Sequence, residues 1–206
     1  MELMQSKDWD KQWTNYYKFE KIRIGGLFVK MMYNSLLQGT KLEDEESIEL
    51  GAGEGHFSQY LIKNNKIKKA TLIDFSKESV KKLKEKFEGE NAEIKNADLM
   101  KLKLKKKYAL VHSHGLIEHF TGIQRQKILE KHAELVKEGG FLLISVPTHS
   151  MLDIIMEPLN KLIGFKQELY TKKELEKRLN KLGFKIIKTK KAIFGLGIAI
   201  LAVKTK

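Results

Sequence analysis

The sequence predicts an α/β fold built around a mostly parallel sheet. Two observations carry that expectation. From residue 47 onward, short apolar runs of strand length alternate with stretches of helical period. The first such run passes straight into a glycine-rich segment, Glu49-Leu50-Gly51-Ala52-Gly53-Glu54-Gly55, that stands before a helical stretch. In sheets of this kind ligands bind at the carboxyl ends of the strands.

Taken in order, the first 40 residues read as helical. Trp9, Trp13 and Tyr16 share one helical stripe, and a second periodic stretch over 22–37 stops at Gly39. Residues 47–51 read as a buried strand and 56–65 as a helix with Phe57, Tyr60 and Leu61 on one face. Residues 70–74 read as the second strand. Ser76 is a helix N-cap, followed by Val80, Leu83 and Phe87 on the inner face. Strands three and four fall at 92–95 and 108–113. Thr121 with Gln124 reads as a capping box that opens a helix ending at Gly139-Gly140. Residues 141–146 form a fifth strand, stopped by Pro147. Thr171 with Glu174 is a second capping box, with Leu175, Leu179 and Leu182 lining that helix, and the last strands fall at 184–189 and 196–203.

Composition narrows the chemistry. The 206 residues suit one domain. With no cysteine there is no disulfide, thiolate zinc site, iron–sulfur cluster or thiol nucleophile. With no signal-peptide pattern and no apolar run of spanning length, the expected location is cytoplasmic. The net charge of +13 comes almost wholly from lysine, since Arg23, Arg125 and Arg178 are the only arginines. Lysine reads phosphate as a point charge, without the bidentate fork of arginine. The excess therefore argues for a solvated surface before it argues for nucleic-acid recognition. Residues 101–107, with 5 lysines, read as a solvated loop.

The candidate site residues follow from position. Gly51, Gly53 and Gly55 let the backbone turn tightly and admit a ligand. The dinucleotide pattern G-x-G-x-x-G would require a glycine where His56 stands, which leaves the helix-packing role unfilled. Glu49 and Glu54 make the loop a better neighbour for a cation than for a pyrophosphate. Asp74 ends the second strand 23 residues after Gly51, where an acid can accept both hydroxyls of a ribose. Phe75 beside it offers a face to a purine, and Asp98 can accept from an adenine amino group.

With these motifs in order, the chain resembles a class I S-adenosylmethionine-dependent methyltransferase over residues 47–203. The matching segments are the glycine loop, Asp74, Ala97-Asp98, the stretch 108–120 and the helix–Gly-Gly–strand of 135–147. The resemblance implies a Rossmann-like seven-stranded sheet with the last strand antiparallel and helices on both faces. It implies S-adenosylmethionine as cofactor. Glu49, Gly51 and Gly53, with Ala52 between them, would face the methionine part, and Asp74 and Phe75 the ribose side. Asp98 and Leu99 would border the adenine, and Ser113 and His114 would sit over the methionine portion. The division implied is a single domain with a helical cap over 1–40, a cofactor core over 47–147, an acceptor-side insertion over 148–170 and a C-terminal helix and strands over 171–206. Relatives often carry Asp where this chain has Ala109.

His119, His114 and Glu118 are the catalytic candidates. An imidazole serves as general base near neutrality. Glu118-His119 also fits two other readings: a pair that orders its loop, or ligands that converge with His149 on a divalent metal. The metal-using relatives have Glu where this chain has Gly115. The apolar residues around Trp9 and across 151–165 favour a small apolar or aromatic acceptor, methylated on O, N or C. RNA or protein as acceptor, a peripheral membrane contact, and a non-catalytic cofactor-binding protein remain as alternatives.

Overall fold

The structure, a computed structural model, describes residues 7–11, 14, 25–148, 168–192 and 197–205. Helix α1 (Gly25–Leu37) precedes β1 (Glu46–Leu50), α2 (His56–Lys63), β2 (Lys69–Asp74), α3 (Lys77–Lys86) and β3 (Ala92–Asn96). Then come β4 (Tyr108–His114), a 3-10 turn (Ile117–His119), α4 (Ile123–Leu135), β5 (Val136–Pro147), α5 (Lys172–Lys181), β6 (Phe184–Ala192) and β7 (Gly197–Lys204).

The seven strands form one sheet in the order β3-β2-β1-β4-β5-β7-β6. Neighbours run parallel from β3 to β5, and β7 is antiparallel to both β5 and β6. The expected last antiparallel strand is therefore present, inserted between β5 and β6. Its run Ile198-Ala-Ile-Leu-Ala202 is buried, as the unbroken apolar sequence of a central strand requires.

Each face of the sheet carries its own core. On one, Val111, Leu142, Ile144 and Ile200 meet Ile128 and Leu129 of α4 and Leu175 and Leu179 of α5. On the other, Leu72, Leu110, Leu143 and Leu201 meet Tyr33 and Leu36 of α1, Leu61 of α2 and Leu83 of α3. Strand alternation decides the assignment, so successive residues of β4 point to opposite layers. Fully burying one such leucine contributes about 1.5–3 kcal/mol.

The caps account for several boundaries. Ser76 Oγ accepts from Ser79 N at 3.2 Å, and Thr171 Oγ1 accepts from Glu174 N at 3.2 Å, as expected. Glu174 carries a further load: its carboxylate accepts from Arg125 and Arg178. The expected Thr121 side-chain cap is absent. Gly122 is the N-cap of α4, and Thr121 contributes only its carbonyl to Gln124 N, at 3.2 Å. That helix also stops at Leu135, before Gly139-Gly140. Lys204 Nζ donates to the carbonyls of Ala133 and Val136 at 2.8 and 3.1 Å, and Lys107 Nζ to that of Glu134. These cations cover the last carbonyls of the helix and suit its negative end. Gly139 and Gly140 lie in a break of register, between the pairs Tyr108↔Val136 and Leu110↔Phe141.

Gly55 takes the packing role that the sequence pattern left unfilled. It sits at φ 65° as N-cap of α2, and a Cβ there would come within 2.7 Å of Leu83 and Phe87 and 2.9 Å of Leu72. Gly139 has a similar φ of 69° with nothing near it. Gly55→Ala is expected to lose about 1–3 kcal/mol more than Gly139→Ala, because only the first adds overpacking to backbone strain. Urea unfolding of the two variants measures the difference.

Candidate active site

The carboxyl ends of β1, β2 and β4 meet at a cavity of about 560 Å³. The glycine loop forms one wall. Ala52 N donates to Ile73 O at 3.0 Å, and Gly53 N donates to Asp74 Oδ2 at 2.8 Å. The other oxygen of Asp74 accepts from Ser76 N at 2.9 Å, and Ser79 Oγ donates to Gly53 O at 2.7 Å. One buried carboxylate thus holds two loops in register.

Glu49, on β1, reaches the N-terminal turn of α2. Its Oε2 accepts from Ser58 N at 3.1 Å and from Ser58 Oγ at 2.5 Å. Burial raises its carboxyl to about 7 against the lowering by those bonds. Burial also raises Asp74, opposed by its backbone donors.

Glu49, Gly51, Ala52 and Gly53 all line the cavity, as do Asp74 and Phe75. Asp98 and Leu99 line it from the loop after β3, where Asp98 Oδ1 accepts from Met100 N at 2.9 Å. His114 and His119 line it from β4 and the 3-10 turn, and Trp9 stands edge-on to His119 with centroids 4.8 Å apart.

Two predicted residues lie elsewhere. Ser113 does not line the cavity: it points to the opposite layer, where its Oγ meets His132 Nε2 at 2.9 Å. Strand alternation dictates this, since His112 and His114 share the cavity side. Glu118 is also absent from the lining, and its side chain is 2% exposed. Burial pushes its carboxyl up to about 8, which disfavours the ionised form. Its carbonyl accepts from Glu168 N at 2.7 Å, which fastens the turn to the chain before α5. Arg125 secures the same segment, donating to Glu168 O at 2.5 Å and lying over the Tyr170 ring. His149, Trp13, Tyr16 and the apolar stretch 151–165 lie outside the described residues.

Sequence reasoning missed the partners of His114. Its ring stacks on Phe57 at 3.3 Å, and its Nε2 lies 2.5 Å from Tyr33 Oη, which also meets His112 Nδ1 at 3.0 Å. Burial holds both imidazoles neutral, His112 at about 3 and His114 well below its usual value. The signal available was His-x-His on a strand, which sets both rings on one face.

Among known proteins, residues 48–140 match the family model described as a methyltransferase domain. A curated relative, malonyl-[acyl-carrier protein] O-methyltransferase 2 of Ilyobacter polytropus, is 27% identical over 151 residues, which are 69% of this chain. The chain spans 57% of that relative's length. Among solved structures, magnesium protoporphyrin IX methyltransferase from Synechocystis with bound S-adenosylmethionine superposes with a TM-score of 0.74 over 98% of each chain, at 15% identity. An S-adenosylmethionine-dependent methyltransferase from Clostridium acetobutylicum gives 0.71 at 14% identity, covering 95% of this chain and 99% of its own. With the glycine loop, the acid ending β2 and the antiparallel seventh strand in place, the chain has the fold of the S-adenosylmethionine-dependent methyltransferases it superposes on, and its residues 48–140 are similar to a methyltransferase domain.

Proposed function

We propose that the protein transfers a methyl group from S-adenosylmethionine to a small acceptor with an apolar or aromatic body. The observation that carries this reading is the pair of buried carboxylates, Glu49 and Asp74, on a glycine loop that opens into a 560 Å³ cavity. That volume falls within the range of small-ligand sites. Asp74 has committed one lone pair of each oxygen to a backbone donor, and a carboxylate retains further capacity for a ribose diol. Glu49 would receive the ammonium of the methionine part. Phe75, Asp98 and Leu99 would border the adenine.

When bound, the cofactor supplies an electrophilic methyl group on a sulfonium. The work of the protein is to orient the acceptor and keep water out, and positioning of this kind is worth up to about 7–11 kcal/mol. Trp9 and Phe120 supply apolar wall on the acceptor side. A hydroxyl or protonated amine acceptor must lose a proton. His119, part-exposed at the cavity, is better suited to take it than His114, whose burial opposes a positive charge. The Synechocystis neighbour is a magnesium protoporphyrin IX methyltransferase, and a porphyrin substrate supports an acceptor with an apolar body. The charge of +13 favours a macromolecular acceptor as a second reading, so acceptor screens should include RNA and carrier proteins.

Titration of S-adenosylhomocysteine into the wild type is expected to show 1:1 binding, weakened by about 1–3 kcal/mol in Asp74→Asn, which removes a charged acceptor while keeping one oxygen. No binding by the wild type overturns the reading. Affinity should also depend on pH. A cation beside Glu49 favours its ionised form, so below about 7 binding must expel a proton. Affinity should therefore rise with pH, by at most about tenfold per unit, and level off above that value. Glu49→Gln should flatten the profile when it is read by calorimetry. Once an acceptor is found, His119→Ala should lower kcat by about 10²–10⁴-fold with little change in cofactor affinity. Unchanged turnover removes the base role.

A further inference from the structure

Sheet register creates a second constellation beside the glycine loop. Glu49 of β1 is the direct pairing partner of His112 of β4, and both side chains point to the layer of α1. Neighbouring strands lie about 4.8 Å apart, so these side chains must meet. His114, two residues on, shares that face. One ligand atom from each of Glu49, His112 and His114 lies within 4.8 Å of the others.

The spacing matches a metal better than a plain hydrogen-bond cluster. His112 Nδ1 and His114 Nε2 face each other at 3.4 Å. Two imidazole nitrogens on one tetrahedral zinc, each at 2.0–2.1 Å, are about 3.3 Å apart. Tyr33 Oη sits between them with one proton, so it can donate to only one of the facing nitrogens. Ser58 holds Oε2 of Glu49, which fixes the carboxylate and leaves Oε1 for another partner. Phe57 stacked on His114 fixes that ring. Glu49 and His114 both line the cavity, which gives an ion a way in.

We propose that Glu49, His112 and His114 form a binding site for a zinc-class divalent cation, with the Tyr33 hydroxyl standing where a fourth donor belongs. Two imidazoles with a carboxylate select a borderline metal over magnesium or calcium, which favour oxygen donors. The site has a consequence that rests on the proposed function. A dication on Glu49 occupies the carboxylate that the cofactor's ammonium would use. Metal and cofactor therefore oppose one another, and each lowers the affinity of the other by the same factor.

The test is calorimetric titration of zinc chloride, with magnesium chloride as control, into the full chain in chelator-free buffer. Cobalt(II) substitution is read by visible absorption. The expected result is one zinc per chain, a tetrahedral cobalt spectrum and no magnesium binding. His114→Gln and Glu49→Gln should each weaken zinc by at least about tenfold, since loss of a ligand exceeds loss of an outer partner. Both variants keep a polar side chain of similar size, and circular dichroism confirms that they fold. His119→Gln should bind zinc as the wild type does. No zinc binding, or equal binding by all three variants, overturns the site. Saturation with S-adenosylhomocysteine should raise the zinc Kd. An unchanged Kd, with S-adenosylhomocysteine bound, overturns the antagonism. Zinc binding without any S-adenosylhomocysteine binding supports the site and defeats the methyltransferase reading.

Discussion

Strand β1 is bonded in parallel to β2 on one side and to β4 on the other, and the geometry of the cavity follows from that pairing. The chain leaves β1 through a loop that must turn sharply to start α2, and the crevice between the strand ends lies directly above. Three glycines permit the turn, but they do not hold it. Asp74 does, by accepting from Gly53 on the loop and Ser76 beyond β2 with one carboxylate. A polar group buried at that depth would be costly if unpaired, so both loops are fastened by the need to satisfy it. The residue proposed to face a sugar is thereby also the one that holds the wall of the cavity together.

The same economy governs the segment around the 3-10 turn. Arg125 is 3% exposed, yet it is charged, and it meets carbonyl oxygens, the Glu174 carboxylate and the face of Tyr170. Its contacts fasten residues 168–170 beside the 3-10 turn. Glu118 is drawn into that structural junction, and its neighbour His119 is left turned toward the cavity. Adjacent residues in one short turn thus have opposite surroundings.

Much of the fold was legible because it rests on local pattern. Alternating strands and helices, the Ser76 and Thr171 caps and the glycine loop each announce themselves within a few residues. The errors fall where a distant partner decides. Thr121 looks like a cap, but Gly122 takes the position. The helix before β5 stops at Leu135, where Lys107, just ahead of β4, and Lys204 of β7 cover its end. Ser113 has the right place in the motif and the wrong face of the strand. Tyr33 carried no sign of its link to His112 and His114, some 80 residues away, because only α1 packing on the sheet brings them together. Gly55 shows that a role defined by one spacing can be filled at another.

The lysines of β6 bear on behaviour in concentrated solution. That strand is one of the two borders of the sheet, opposite β3, and carries Lys185, Lys188, Lys190 and Lys191 around the exposed Ile187. Lys188 is engaged with the carbonyls of Ser35 and Gln38 at the end of α1. The others deter another chain from extending the sheet, because two such borders brought together would set like charges side by side. Part of the +13 charge thus acts as a guard against fibrillar stacking. Chemical neutralisation of those amines, as by acetylation, would remove that like-charge barrier and leave the border more open to self-association.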